Sequence, residues 1–272
     1  MARQDDVVYT LHYFPFSLYS LMARFGFVLG QKLNPQTAPR LQIKLVNLHR
    51  EENFSEEYLT LINKKGQVPS LTSASSPSLD DSHDIARWLC QRQPELLPEE
   101  YKDIILRLME KLYSFHAMAL SIGPETRKHG IGIPNQAAAL LENPDLSENH
   151  RRALEIKSVF HDTTHSRTLE PDNIELVEEQ ARDLMQDLED ILIEYNDDGK
   201  TWIFGDYPTI LDAHATALAA RLMDMERDDI VTVPVWEYAK GVMATEEWNK
   251  VTYGRRTVWD ISVGHVAKLN PL

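Results

Sequence analysis

The chain has 272 residues, enough for about two domains that each bury a core of their own. Its 28 lysines and arginines stand against 42 aspartates and glutamates, a net charge of −14 that repels phosphate backbones and anionic lipid heads and so excludes nucleic acid and membrane as expected partners. A hydrophobic share of 43% with 26% charged residues describes a folded soluble protein, and one cysteine, Cys90, allows no intrachain disulfide, four-thiolate zinc site or iron–sulfur cluster.

The opening MARQDDVVYT places Asp5 and Asp6 where a signal peptide needs its apolar stretch, and nowhere do about 18 apolar residues run together, so a cytosolic location is expected. Val7 to Phe14 mixes β-branched, aromatic and apolar residues and reads as a buried strand ended by Pro15. Ser17 then stands as a cap ahead of Leu18, Leu21, Met22, Phe25 and Leu29, the apolar face of a helix. LQIKLVNL (41–48) predicts a second strand and FSEEYLTLI a short helix, completing a βαβ unit. After the turn at Gly66, Val68-Pro69 opens a third strand, SASSPS reads as a loop, and DDSHDIARWL starts an acidic-ended helix.

No further strand is expected. QRQPELLPEE, with Pro94 and Pro98, reads as a stiffened linker that divides the chain into residues 1–93 and 98–272. The second part is expected to be all helical: a long helix with Ile105, Met109, Leu112 and His116 on one face, a polar interruption from Pro124 to Ser147, and helices over His150 to Phe160 and Ile174 to Tyr195. The last of these is amphipathic with an acidic outer face, and a strongly apolar helix follows Thr209. Thr209 and Asp212 have the spacing of a capping box, to which a folding role is assigned with a loss of about 1 kcal/mol if the cap is removed. His161 and His165 in HDTTH lie four apart, but no third ligand or HExxH glutamate accompanies them, so they read as solvated helix surface and no metal is expected.

The order of these elements, with LHYFPFSLYSLMARF at the first strand–helix junction, GQVPSL before the third strand, DDSHDIARWL, and WIFGDYPTILDAHATALAARL, resembles the glutathione transferase superfamily over almost the whole chain. The resemblance implies an α/β, thioredoxin-like N-terminal domain followed by an all-helical C-terminal domain. It further implies glutathione as cosubstrate, a hydrophobic small-molecule partner and a homodimer. The long polar middle region and the YFPFS junction are most similar to fungal members, many of which serve detoxification or secondary metabolism.

Such an enzyme must favour the thiolate of glutathione, and lowering a thiol pKa by about two units takes roughly 2.7 kcal/mol. A hydroxyl donating to sulfur at a helix N-terminus supplies energy of that order. Counted back from Arg24, Ser17 falls where serine-type classes carry that hydroxyl and Tyr13 where tyrosine-type classes carry theirs; Ser17 is preferred because it also explains the helix start, although Leu18 replaces the proline often found after the serine. Ser20 is a weaker third hydroxyl, and Cys90 lies too far from the junction for a cysteine-type mechanism.

Pro69 corresponds to the family's cis-proline, which turns the main chain of Val68 toward the cysteinyl part of glutathione. Asp81 and Ser82 correspond to the pair that holds the γ-glutamyl end, with aspartate one methylene shorter than the usual glutamate. Gln67 is the expected side-chain contact to the peptide, while Lys64, Lys65 and His49 are candidates for the glycyl carboxylate. Met109, Tyr113 and His116 are expected to line the electrophile's site. Conjugation is the default reaction. The alternatives are a reversible use of the same thiolate, giving cis–trans isomerisation of a conjugated alkene, and a non-catalytic binding module.

Overall fold

The structure, a computed structural model, describes residues 7–196, 199–269 and 271–272; the signal-peptide reading of the first residues falls largely outside that range. β1 (Val8–Tyr13) pairs in parallel with β2 (Arg40–Leu45) and antiparallel with β3 (Ser70–Ser73), which pairs with β4 (Ser76–Leu79) to give the order β2-β1-β3-β4. The fourth strand corrects the reading of SASSPS as loop. It is an exposed edge with no apolar alternation to betray it, and an edge accepts Pro77 because one side of the ladder needs no N–H.

α1 (Leu18–Leu33) buries Leu21, Met22, Phe25 and Leu29. Its close approach to α8 (Ile210–Asp224) occurs at Gly26, where a Cβ would stand 3.1 Å from Ile210 Cδ1. All residues of α8 from Ile210 to Leu222 are buried, as an apolar helix at the centre of a domain requires.

α2 (Ser82–Arg92) leads through a short turn, Pro94–Leu96, to α3 (Lys102–Tyr113). That turn is no loose tether: Leu96 is fully buried and Gln93 Nε2 donates to the carbonyls of Gly30 (2.7 Å) and Asn34 (3.2 Å). α3 ends at Tyr113, so His116 lies beyond the helix on which it was expected. The polar interruption contains two short helices, α4 (Pro124–His129) and α5 (Gln136–Leu140), followed by α6 (Glu148–Phe160) and α7 (Pro171–Tyr195). α9 (Val233–Met243) and α10 (Glu246–Thr252) complete the helical part. Among the described residues no helix is long and apolar enough to cross a membrane.

Thr209 and Asp212 form the capping box, and Asp212 does more than cap. Its fully buried carboxylate accepts from the N–H groups of Thr209 (2.7 Å) and Ile203 (2.9 Å) and from the hydroxyls of Thr209 (2.8 Å) and Tyr238 (2.8 Å). It ties the chain before α8 and the body of α9 to one point.

Candidate active site

The site begins where β1 hands over to α1. Ser17 N–H donates to Phe14 O (3.0 Å), and Ser17 Oγ accepts from Ser20 N–H (3.3 Å), so the serine caps the helix while keeping its own hydrogen free to donate. The amides of Leu18 and Tyr19, in the first turn of a 16-residue helix, donate to nothing among the described residues. Ser20 is fully buried with Oγ against Phe14 N–H, outside the cavity.

Across from this helix end the chain from Asn63 to Ser70 is held by side chains. Asn53 Nδ2 donates to Gly66 O (2.9 Å), while Tyr58 Oη (2.6 Å) and Asn63 Nδ2 (3.1 Å) both donate to Gln67 O. The Val68–Pro69 peptide is cis. With the Gln67 carbonyl so engaged, the main-chain N–H and C=O of Val68 have no partner among the described residues.

Two adjoining cavities meet at Tyr19, Gln67, Val68 and His116. One, of about 380 Å³, carries Lys65, Pro69, Asp80, Asp81 and Ser82 with Tyr113. Here Asp81 caps α2 by accepting from His83 N–H (2.8 Å), and Lys65 Nζ pairs with Asp80 at 3.3 Å. The other, of about 400 Å³, carries Ser17 and an apolar wall of Phe14, Phe16, Met118 and Ile133. Its polar lining contains Lys157, His161, His165 and Arg221, with no aspartate or glutamate among the described residues.

Ser17, Gln67, Val68, Pro69, Asp81, Ser82, Lys65, Tyr113 and His116 therefore converge. Tyr13 does not. Strand pleating puts it on the same side as Leu11, fully buried under the Arg24 guanidinium (5.0 Å from its ring), with a hydroxyl that has no hydrogen-bond partner among the described residues and burial raising its pKa. Met109 is also displaced, lining a separate hollow between α2 and α3 beside Cys90. Burial pushes the Cys90 thiol up to about 12, so it is no thiolate at neutral pH. His49 is exposed and packs edge-on against Phe14 and Trp259, outside both cavities, and Lys64 is exposed.

The largest correction concerns His161 and His165, which were expected on a solvated surface. α6 runs into a π turn, closed by Ser166 N–H on His161 O (3.0 Å), and each histidine is only 8% exposed. Gln67 Nε2 donates to His165 Nε2 (3.1 Å), which assigns the hydrogen of His165 to Nδ1, and that donor has no acceptor among the described residues. Burial first, and then repulsion from Lys157 and from the neighbouring histidines His116 and His161 whenever they take up a proton, lowers the His165 pKa to about 4, leaving the ring neutral. No group of three or more His, Cys, Asp or Glu is placed to hold a metal ion among the described residues.

Tyr19, where the cavities meet, stacks at 6.0 Å on Tyr113 of the Ser82 cavity. Ala117 N–H donates to Tyr19 Oη (3.3 Å). His214 Nδ1–H donates to Ile210 O (2.8 Å), so its Nε2 accepts from Tyr113 Oη (3.0 Å), and burial lowers the His214 pKa to about 4. Tyr113 is thus fixed by a neutral histidine from α8. Tyr19, Phe14, Lys157 and the two histidines were not singled out as site residues from the sequence.

No protein-family profile matches the sequence, and no curated protein is similar to it in sequence. Solved structures are similar in fold. A glutathione transferase family member from Pseudomonas fluorescens, with two glutathione molecules bound, is 14% identical over 92% of this chain and 94% of its own, with a TM-score of 0.53. Ure2p in complex with glutathione is 15% identical over 89% and 97%, with a TM-score of 0.58. A diazinon-metabolizing glutathione S-transferase of the silkworm Bombyx mori is 14% identical over 90% and 96%, at 0.54. The chain has the glutathione transferase fold, a thioredoxin-like N-terminal domain followed by a helical one.

Proposed function

We propose that the chain is a glutathione-dependent transferase that stabilises the thiolate with Ser17 and passes it to an electrophile in the Phe14–Phe16–Met118 cavity. The observation that carries this reading is that Val68, whose main-chain amide and carbonyl have no partner among the described residues, lines the same cavity as the Ser17-capped end of α1. An extended peptide adds to such a backbone as another strand does. Its γ-glutamyl end then reaches Ser82, the amides of α2 and the Asp80–Asp81 carboxylates, and its sulfur reaches the Ser17 hydroxyl and the Leu18 and Tyr19 amides.

The thiol proton leaves to solvent, Ser17 stays neutral and donates to S⁻, and the sulfur lone pair forms the S–C bond as the leaving group departs to solvent with the C–X electron pair, or, on a conjugated alkene, as the C=C π pair shifts away from sulfur and takes a proton from water. We further propose a cytosolic homodimer with a role in detoxification or secondary metabolism, as the resemblance of the sequence to fungal glutathione transferases implies. Calorimetry with millimolar glutathione, followed by product analysis with an activated aryl halide, tests it. Saturable binding and stoichiometric consumption of glutathione are expected. Binding with glutathione regenerated would assign an isomerase, binding with no turnover of any electrophile a binding module, and no binding would end the reading.

A further inference from the structure

The two cavities differ in charge. The one at Ser82 is bordered by Asp80 and Asp81, and the one at Ser17 holds Lys157 and Arg221 with no carboxylate among the described residues of its lining. Arg221 is 5% exposed, and four of its five N–H donors are engaged by Thr257, Ser121 and Phe16 O. Lys157 is different. It is 6% exposed and takes part in no hydrogen bond or ion pair among the described residues. Its ammonium lies against two aromatic faces, 5.6 Å from the Phe54 centroid and 5.2 Å from that of Phe160.

A buried charge without a counter-ion is costly, so such a group is as a rule paired or gives up its proton more easily. Desolvation lowers the Lys157 pKa to about 8, so the ammonium form still prevails at neutral pH. The His165 ring lies 5.2 Å from the same Phe160 centroid, with its Nδ1–H unpartnered and its residue 8% exposed. Gly66 completes the arrangement. It sits at φ +59°, and a Cβ there would come 3.2 Å from Lys157 Cε, so the glycine leaves the lysine stem its path into the cavity.

We propose that Lys157, with the Nδ1–H of His165, forms a carboxylate-binding subsite that the helical domain contributes to the Ser17 cavity. The carboxylate belongs to a ligand of that cavity, either the glycyl end of glutathione or an acidic group on the electrophile. This deepens the transferase reading and, in its glutathione form, rests on it.

The test compares the wild type with Lys157→Met by calorimetry, using glutathione, its glycyl ethyl ester, and the S-(para-carboxybenzyl) and S-(para-methylbenzyl) conjugates. A lost charge-assisted contact corresponds to roughly 10- to 100-fold in affinity. If the glycyl end is bound, Lys157→Met weakens glutathione by that factor and the ester equally poorly binds both proteins. If the electrophile carries the acid, glutathione is unaffected and the preference for the carboxybenzyl over the methylbenzyl conjugate disappears. Affinities unchanged within about twofold for all four ligands would overturn the subsite.

Benzoate, titrated by NMR without glutathione, separates this proposal from the transferase reading. Should the wild type bind no glutathione ligand, loss of benzoate binding in Lys157→Met sustains the subsite alone, and equal behaviour of the two proteins rejects it. Unfolding in urea without ligand supplies a second readout. Removing an unpaired buried charge raises the midpoint, whereas a lysine that merely braces the fold gives a lower midpoint on substitution.

Discussion

Acid should unfold this protein partly through His214. The residue is wholly buried in α8, donates from Nδ1 to Ile210 O and accepts from Tyr113 at Nε2, and its pKa is lowered from 6.5 to about 4 by burial. A histidine with a folded pKa below its unfolded one leaves the unfolded chain to take the proton first. Its contribution is therefore complete above about pH 6.5 and is lost as the pH falls toward 4. Between pH 7 and 4.5 that loss is roughly 2.5 kcal/mol. His214→Gln keeps an acceptor for Tyr113 and does not titrate. Urea unfolding of both proteins at the two pH values isolates the effect, because the remaining groups titrate in each. The wild type is expected to lose roughly 2 to 3 kcal/mol more than the variant. Equal losses within about 0.5 kcal/mol would refute a neutral, desolvated His214.

Three further outcomes follow from the geometry. Asp212→Ala leaves the Thr209 and Ile203 amides and the Tyr238 hydroxyl without their acceptor. It should cost roughly 3–5 kcal/mol, well above the 1 kcal/mol of an ordinary cap, as read from denaturant midpoints. Tyr13→Phe removes a buried hydroxyl without a hydrogen-bond partner among the described residues, so stability should stay level or rise by about 1 kcal/mol, and glutathione turnover should be unchanged; a large loss of kcat would reinstate Tyr13. Gly66→Ala, at φ +59° and 3.0 Å from Asn53 O, should destabilise by roughly 1–2 kcal/mol and weaken glutathione binding through the Val68 loop, and a thermal shift under about 1 °C would contradict it.

Local chemistry was legible in the sequence. Ser17 ahead of a 3–4 apolar spacing, Val68-Pro69 after a glycine turn, Asp81 before Ser82, and Thr209 with Asp212 are all read within a few residues, and each is found in that local setting. What needed the third dimension was the direction of side chains. Tyr13 and Ser17 were rivals because spacing along the chain ignores pleating, which turns Tyr13 toward Arg24. Met109 and Tyr113 lie on one helix yet line different hollows.

The π turn after Phe160 was invisible, since HDTTH is polar throughout and only a shift of helical register buries its histidines. Lys157 did leave a signal. It follows Ala153 and Leu154 by four and three residues, which puts a lysine on the apolar stripe of α6.

The central claim is that Ser17 makes the glutathione thiolate accessible at neutral pH. Titrating the ultraviolet thiolate absorbance of bound glutathione in wild type, Ser17→Ala and Tyr19→Phe addresses it directly. A charge-assisted bond from Ser17 predicts that the midpoint rises by roughly 1–2 units in Ser17→Ala and stays in place in Tyr19→Phe. An unshifted midpoint in Ser17→Ala, with glutathione still bound, would contradict the account.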